Sequence, residues 1–357
     1  MNNDFDKLLN LNEDLKVNEK TLSRKINNKA NARILKIVLI TLIAIAVITF
    51  GISQICNLVF YNPEKKCDYV KDDVTEFQFL MDIYTGLNYP GTVYVPDNYD
   101  KIEKHGFGSY TVKGSLQDDF HTIHVGANNN MEYSIKRGKM EYEDTYNLGL
   151  NNRTLMFYNP ESIYGKYNDD NEDDDYEKAA LTISEDELNA IEELPQSSYI
   201  KVFLSFNKLE TMDNTVKFMK KYPESEFSWI GIDSRHVSVV NNYDGIRLNT
   251  VFGYGLTDDA KKKYPELLLQ DFDFTGSDLE QCYLSRIKLL KDNPEFMKLV
   301  SKDMYRLDEE YENVKKPEDV KAVGICGTIK KADFLKMIKT GEIRYANILD
   351  VKLSLFN

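Results

Sequence analysis

The chain has 357 residues, a formal net charge of −13 and four cysteines. That length is enough for more than one hydrophobic core, while the acidic balance argues against nucleic-acid binding and against general electrostatic attraction to anionic lipid. Three cysteines outside the apolar stretch described next, Cys67, Cys282 and Cys326, are no disulfide framework, although their spacing leaves a Cys282–Cys326 bridge open.

Residues 1–36 carry eight Lys or Arg against five Asp or Glu, a net of +3 that leaves −16 for the remainder. In this tail Leu8, Leu11, Leu15, Leu22 and Ile26 recur at helical spacing and share one face of a helix. An isolated helix of this size is marginal in water, so an apolar stripe with no domain to bury it points to a partner. A frayed, solvated segment, or one lying on the inner membrane surface, is the plainer alternative.

From Ile37 to Tyr61 no residue is charged. Roughly 20 apolar residues cross a bilayer as a helix, the one local fold that satisfies its own backbone there. A transmembrane helix is predicted over 37–61, a buried core helix being the alternative. Lys20, Arg24, Lys25, Lys29, Arg33 and Lys36 precede it and only Lys65 and Lys66 follow closely, which by the positive-inside rule keeps the N-terminus in the cytoplasm. The long polar start and the missing small-residue cleavage pattern predict an anchor rather than a removable leader. Ile55 ahead of Cys56 disfavours a lipoprotein cysteine. Phe60 and Tyr61 read as interfacial aromatic anchors.

Beyond the span, Val70, Val74, Phe77, Leu80, Met81 and Tyr84 predict one amphipathic helix ending near Gly86. Short β-branched and aromatic runs follow at Thr92–Val95, Ser109–Lys113, His121–Val125, Tyr133–Lys136 and Thr154–Tyr158. They predict a small strand-rich outer domain over 62–165. The run from Asn168 to Asp175 repels itself and reads as a linker, 166–182. It lacks the glycine and spaced glutamate of a calcium loop.

The second outer domain, 183–357, opens on a Ser184/Glu187 capping box with Pro195 as its stop. A strand at Tyr199–Phe206, a helix at Thr211–Tyr222 and a strand at Trp229–Asp233 form one unit. Two helices are expected after Ser277-Asp278-Leu279-Glu280 and after Asn293-Pro294. A second unit follows: a strand at Ala322–Cys326, a turn and cap at Gly327-Thr328, a helix at Lys330–Lys339 stopped by Gly341, and a strand at Ile343–Leu353. The fold class is α+β, with two strand-helix-strand units around one sheet in a ferredoxin-like manner.

No catalytic constellation stands out. His121 and His124 point to opposite faces of a strand and lack a third ligand, so no metal is assigned. Ser109 lacks the second glycine of a nucleophile elbow, and Gly253-Tyr254-Gly255 is too short for a phosphate loop and reads as a turn or bulge. The many tyrosines suit a mixed core better than a ligand site. No cofactor is expected.

The layout resembles the membrane-anchored sigma-factor regulators of low-GC bacteria, which carry a regulator N-terminal and a regulator C-terminal domain. The likeness rests on Lys29-Ala30-Asn31-Ala32-Arg33-Ile34-Leu35 and Gly106-Phe107-Gly108-Ser109-Tyr110, then on Leu194-Pro195, Tyr199-Ile200, Ser205-Phe206-Asn207-Lys208, Trp229, the helix Leu284–Leu290 and Val323-Gly324-Ile325-Cys326-Gly327-Thr328. It implies an anti-sigma role, with the cytoplasmic portion holding an extracytoplasmic-function sigma factor and the outer domains responding to envelope conditions. Residues 1–36 contain no His or Cys, which excludes the zinc-built tail of many anti-sigma factors. Any sigma factor would be held by the Leu8–Ile26 stripe. A cell-surface binding or scaffold protein with an inert tail is the competing reading, and an extracytoplasmic enzyme of unrecognised type a third.

Overall fold

The computed structural model describes residues 3–96, 102–118, 129–142, 157, 183–233, 244–248, 253–269, 273–300, 312, 314 and 316–353. The chain divides into two units, one ending at Val59 and one beginning at Phe60. The first is a single helix, α1, Asn3–Val59. Within it, Thr21–Val59 is long and apolar enough to cross a membrane. Its two central threonines return their hydroxyls to the helix, Thr41 Oγ1 to the Ile37 carbonyl at 2.9 Å and Thr49 Oγ1 to the Ile45 carbonyl at 2.5 Å. These two hydroxyls are therefore satisfied within the helix itself.

The second unit starts with Tyr61 buried in its core, so that this ring is not the interfacial anchor expected of it. Helix α2 runs Glu76–Asn88, later than the 70–86 periodicity suggests. Thr75 accepts from the Gln78 amide and Gln78 caps the Thr75 amide in return, which fixes the start of the helix. Val70 instead forms an isolated β-bridge with Leu256.

A first sheet follows, built from β1 (Thr92–Pro96), β2 (Glu103–Gly106), β3 (Ser109–Asp118), β4 (Asn129–Lys136) and β5 (Lys139–Tyr142). Its order is β1-β3-β4-β5 with β2 also on β3, and every pairing is antiparallel. Tyr110, Val112, Tyr133 and Ile135 turn inward. The expected strand at His121–Val125 and the acidic run at 168–175 lie outside the described residues. So does the expected strand at Thr154–Tyr158, apart from Phe157.

The C-terminal part contains α3 (Glu185–Glu192), β6 (Tyr199–Thr211), α4 (Met212–Lys221), β7 (Glu226–Ile232), β8 (Asp244–Arg247), α5 (Asp258–Lys263), α6 (Gly276–Lys291), α7 (Pro294–Val300), β9 (Lys321–Lys330), α8 (Lys331–Lys339) and β10 (Ile343–Lys352). Its sheet has the order β10-β6-β9-β7-β8, again antiparallel throughout. Both β6 and β7 run against β9, and both β9 and β10 run against β6. Each strand-helix-strand unit thus leaves a gap that the other unit's first strand fills, the ferredoxin-like arrangement, with β8 added at one edge.

Side-chain alternation gives this sheet two buried faces. Ile200, Val202, Leu204 and Phe206 of β6 join Val216 and Phe218 of α4 and Phe334 and Met337 of α8 in the main core. On the other face Phe203, Trp229, Val323 and Cys326 gather around Phe157, whose ring stacks on Trp229 at 5.7 Å and meets Phe203 edge-on at 5.1 Å. The main core is continuous from Tyr61 to Ile343 and includes residues of both sheets.

Three details depart from the spacing arguments. Helix α6 is capped by Thr275 with Asp278, and Ser277 sits inside its first turn. Strand β9 continues through Gly327 and Thr328 to Lys330, so these residues are not a turn. A Cβ at Gly327 would lie 2.2 Å from the Glu226 carbonyl oxygen, and only glycine lets β7 approach so closely. Cys282 and Cys326 are separate free thiols, both buried. Other features agree: the Ser184/Glu187 capping box and the Thr211 cap are present, and Gly341 adopts φ +69° just after α8.

Candidate functional site

In the first unit the residues expected to bind a partner lie on an unbroken helix. At 3.6 residues per turn, Leu8, Leu11, Leu15, Leu22 and Ile26 fall within an arc of about 60°. Leu22 and Ile26 are 60% and 58% exposed. Because α1 continues into the apolar stretch, this segment needs no helix nucleus of its own, which removes the main reason a short isolated helix frays.

In the second unit, α2 and the C-terminal part are joined by buried polar contacts. Arg247 of β8 donates to the Asp82 carboxylate of α2 at 2.5 Å, with both side chains 3% exposed. Arg286 of α6 is buried beside them and donates from Nη1 to the Arg247 carbonyl at 3.0 Å and from Nε to the Leu267 carbonyl at 3.2 Å. Burial pulls the pKa of Arg286 below its usual value. Trp229 Nε1 donates to the Gly86 carbonyl near the end of α2 at 2.9 Å.

The turn after α3 is fixed electrostatically. Lys331, 2% exposed, donates to the Glu192 carbonyl at 2.7 Å and the Leu194 carbonyl at 2.5 Å, placing a cation at the negative end of the helix. An open cleft of about 480 Å³ lies over Phe206 and Phe218, rimmed by Asn207, Lys208, Lys217 and Lys221. Glu342 accepts from Lys221 at 2.8 Å and from the Tyr222 hydroxyl at 2.6 Å, so part of the rim's charge is already paired.

The family described as sigma factor regulator C-terminal matches residues 191–350. This part of the chain is similar to the C-terminal domain of sigma factor regulators. The match begins within α3 and ends within β10, so it covers the five-stranded ferredoxin-like sheet and its helices. No curated protein and no solved structure matched the chain. The N-terminal motifs at 29–35 and 106–110 lie outside the matched residues.

The motifs that carried the resemblance hold structural posts. Leu194-Pro195 forms the turn that Lys331 ties down, Trp229 bridges to α2, and Val323 to Thr328 form the central strand β9. Gly253-Tyr254-Gly255 is a bridging turn: the Gly255 carbonyl accepts from the Lys71 amide at 2.7 Å, the Gly255 amide donates to the Asp72 carboxylate at 2.8 Å, and Tyr254 packs edge-on against Phe79 at 5.5 Å. Ser109 opens β3. His121 and His124 lie outside the described residues. Among the described residues, no group of three or more His, Cys, Asp or Glu is placed to hold a metal ion. Tyr94, Tyr110, Tyr133, Tyr222, Tyr264 and Tyr283 are core residues.

The Asp82–Arg247–Arg286 cluster escaped the sequence reading. A signal existed for Arg286, since Leu279, Tyr283, Arg286 and Leu290 recur at i, i+4, i+7 and i+11, which puts the arginine on the buried stripe. Nothing local marks Asp82 or Arg247, whose meeting depends on a separation of 165 residues.

Proposed function

We propose that this chain is a membrane-anchored anti-sigma factor. Its apolar helix spans the cell membrane with the N-terminus in the cytoplasm, the Leu8–Ile26 stripe holds an extracytoplasmic-function sigma factor, and the outer region senses envelope conditions by binding rather than by catalysis. The observation that carries the reading is the continuity of α1, which joins an apolar stripe to an apolar span in a chain with a sigma-factor regulator domain. The basic residues on the tail side of the span support the orientation.

The test is affinity purification of the detergent-solubilised full chain from its own cells, followed by mass spectrometry of what is bound. A small sigma factor is expected, and it should be lost when residues 1–30 are deleted. Leu11→Asp with Leu15→Asp should also abolish capture, because each buried leucine contributes on the order of 2 kcal/mol and a carboxylate in an apolar seam costs more. Recovery of envelope proteins alone from a folded sample would leave a surface scaffold with an inert tail.

A further inference from the structure

Two hairpin tips of the first sheet carry side chains that their backbones disfavour. The β2–β3 turn is Phe107-Gly108 between the paired Gly106 and Ser109, and the β4–β5 turn is Arg137-Gly138 between the paired Lys136 and Lys139. All four central residues have positive φ: 54° and 68° in the first turn, 51° and 72° in the second. These are two-residue turns of the type that favours Asn-Gly or Gly-Gly. An aromatic ring and a guanidinium occupy the positions where asparagine would relieve the backbone. Such strained positions cluster at functional sites.

The two tips are neighbours. The Arg137 amide donates to the Gly108 carbonyl at 2.8 Å. A Cβ built on Gly138 would touch the Phe60 ring and the Tyr61 amide at 4.0 Å. Phe60 is the first residue of the second unit, so the tips lie beside the point where that unit begins. Phe107 is 39% exposed, and Lys136, Arg137 and Lys139 are all exposed. Segments 104–110 and 133–140 contain no acidic residue, although the whole chain has a net charge of −13.

We propose that these tips form a membrane-contacting surface, with Phe107 in the headgroup region of the outer leaflet and Arg137, flanked by Lys136 and Lys139, on lipid phosphates. The chemistry matches: amphipathic depth favours an aromatic ring, and a guanidinium forks onto phosphate oxygens. The inference rests on the reading of α1 as a membrane span. It adds a second attachment that fixes the orientation of the outer region on the bilayer.

The test uses the full chain in nanodiscs of phosphatidylglycerol and phosphatidylcholine, unbrominated or brominated on the acyl chains either near the headgroups, to read Phe107→Trp, or near the chain ends, to read Phe50→Trp. Bromine quenches tryptophan at short range, and the native Trp229 is fully buried and supplies a constant background. Phe50→Trp, within the apolar helix, reports the span, and Phe107→Trp reports the tip. Quenching of the Phe107→Trp signal is expected, reduced when Arg137→Glu and Lys139→Glu are added. A quenched Phe50→Trp with an unquenched Phe107→Trp overturns the surface and leaves the span. An unquenched Phe50→Trp overturns the span itself. Quenching of Phe107→Trp that ignores the charge reversals overturns the phosphate contact.

Discussion

Replacing Asp82 by Ala removes the carboxylate that faces Arg247 in a site where both side chains are 3% exposed. Arg286 lies against the same arginine, so two guanidiniums would remain inside the core without that counter-charge. Breaking a buried pair by deleting one partner costs about 3–5 kcal/mol, because the remaining charge keeps its desolvation penalty. Unfolding entropy is about 2.1 cal/mol/K per residue, or about 0.6 kcal/mol/K for the unit Phe60–Asn357. A loss of about 4 kcal/mol therefore lowers Tm by about 6 °C. Thermal unfolding of the solubilised full chain, followed through Trp229, reads this directly. Asp82→Ala combined with Arg247→Met removes both charges and should recover most of the loss. A drop below about 2 °C in the single variant, or a double variant no more stable than the single, would refute the view of this contact as a charge-compensated interlock.

Thr75→Ala should lower the urea midpoint by the equivalent of about 1 kcal/mol through loss of the α2 capping box, with Thr75→Ser close to the parent. Lys201 is 8% exposed, and burial pulls its pKa down to about 8 despite the opposing influence of Cys326 and Asp350. The folded state therefore releases this proton before the unfolded state does, and parent stability should rise with pH from about 8 towards 10.5. Lys201→Met should be more stable at pH 7 by about 2 kcal/mol and should lack that rise; a parent-to-variant difference constant from pH 7 to 10 would contradict this. Burial pushes Asp292 up, but hydrogen bonds from Lys288, Lys263 and Tyr264 outweigh it and hold the carboxyl at about 2. Its contribution is present above the unfolded value of 3.8 and disappears as pH falls through about 2. Asp292→Asn should cost about 1 kcal/mol at pH 5, an amount reduced by solvent at this half-exposed site, and the gap should narrow as the medium is acidified towards pH 2.

Short-range chemistry was legible and long-range contact was not. The cap at Ser184, the stop at Gly341 and the periodicity of β6 and α4 are written within a few residues of where they act. The placement of α2 was misread because Val70 and Val74 extend its apolar rhythm by chance, while the Thr75/Gln78 box that starts the helix also lies in the sequence. Gly327 was taken for a turn because glycine near Thr and Lys is a common helix preface; its true reason is a carbonyl on β7, about one hundred residues earlier. The second buried face of the sheet depends on Phe157, which no local pattern assigns to Trp229. For the tail, the stripe from Leu8 to Ile26 was visible as a pattern, and the fold adds that it lies on a helix continuous with the span.

Residues 60–75 open the second unit, and their bonding bears on how, under the proposed function, a change in that unit would reach α1. Residues 60–75 are not a free tether. Cys67 donates to the Val74 carbonyl at 3.0 Å, Lys65 pairs with Glu76 at 2.6 Å, and Lys71 and Thr257 exchange backbone bonds across to Gly255 and Tyr69. Helix α2 follows at once and is held by Arg247 and Trp229 of the C-terminal sheet. A ligand that shifted β7 or β8 would therefore meet α2 through short, buried, directional bonds, and α2 would meet Phe60 through a bonded turn. Packed interfaces of this kind pass displacement between discrete arrangements rather than absorbing it. Under the proposed function, inserting two glycines after Tyr61 should uncouple ligand binding in the second unit from the tail while leaving both units folded, which sigma-factor capture and circular dichroism would read separately.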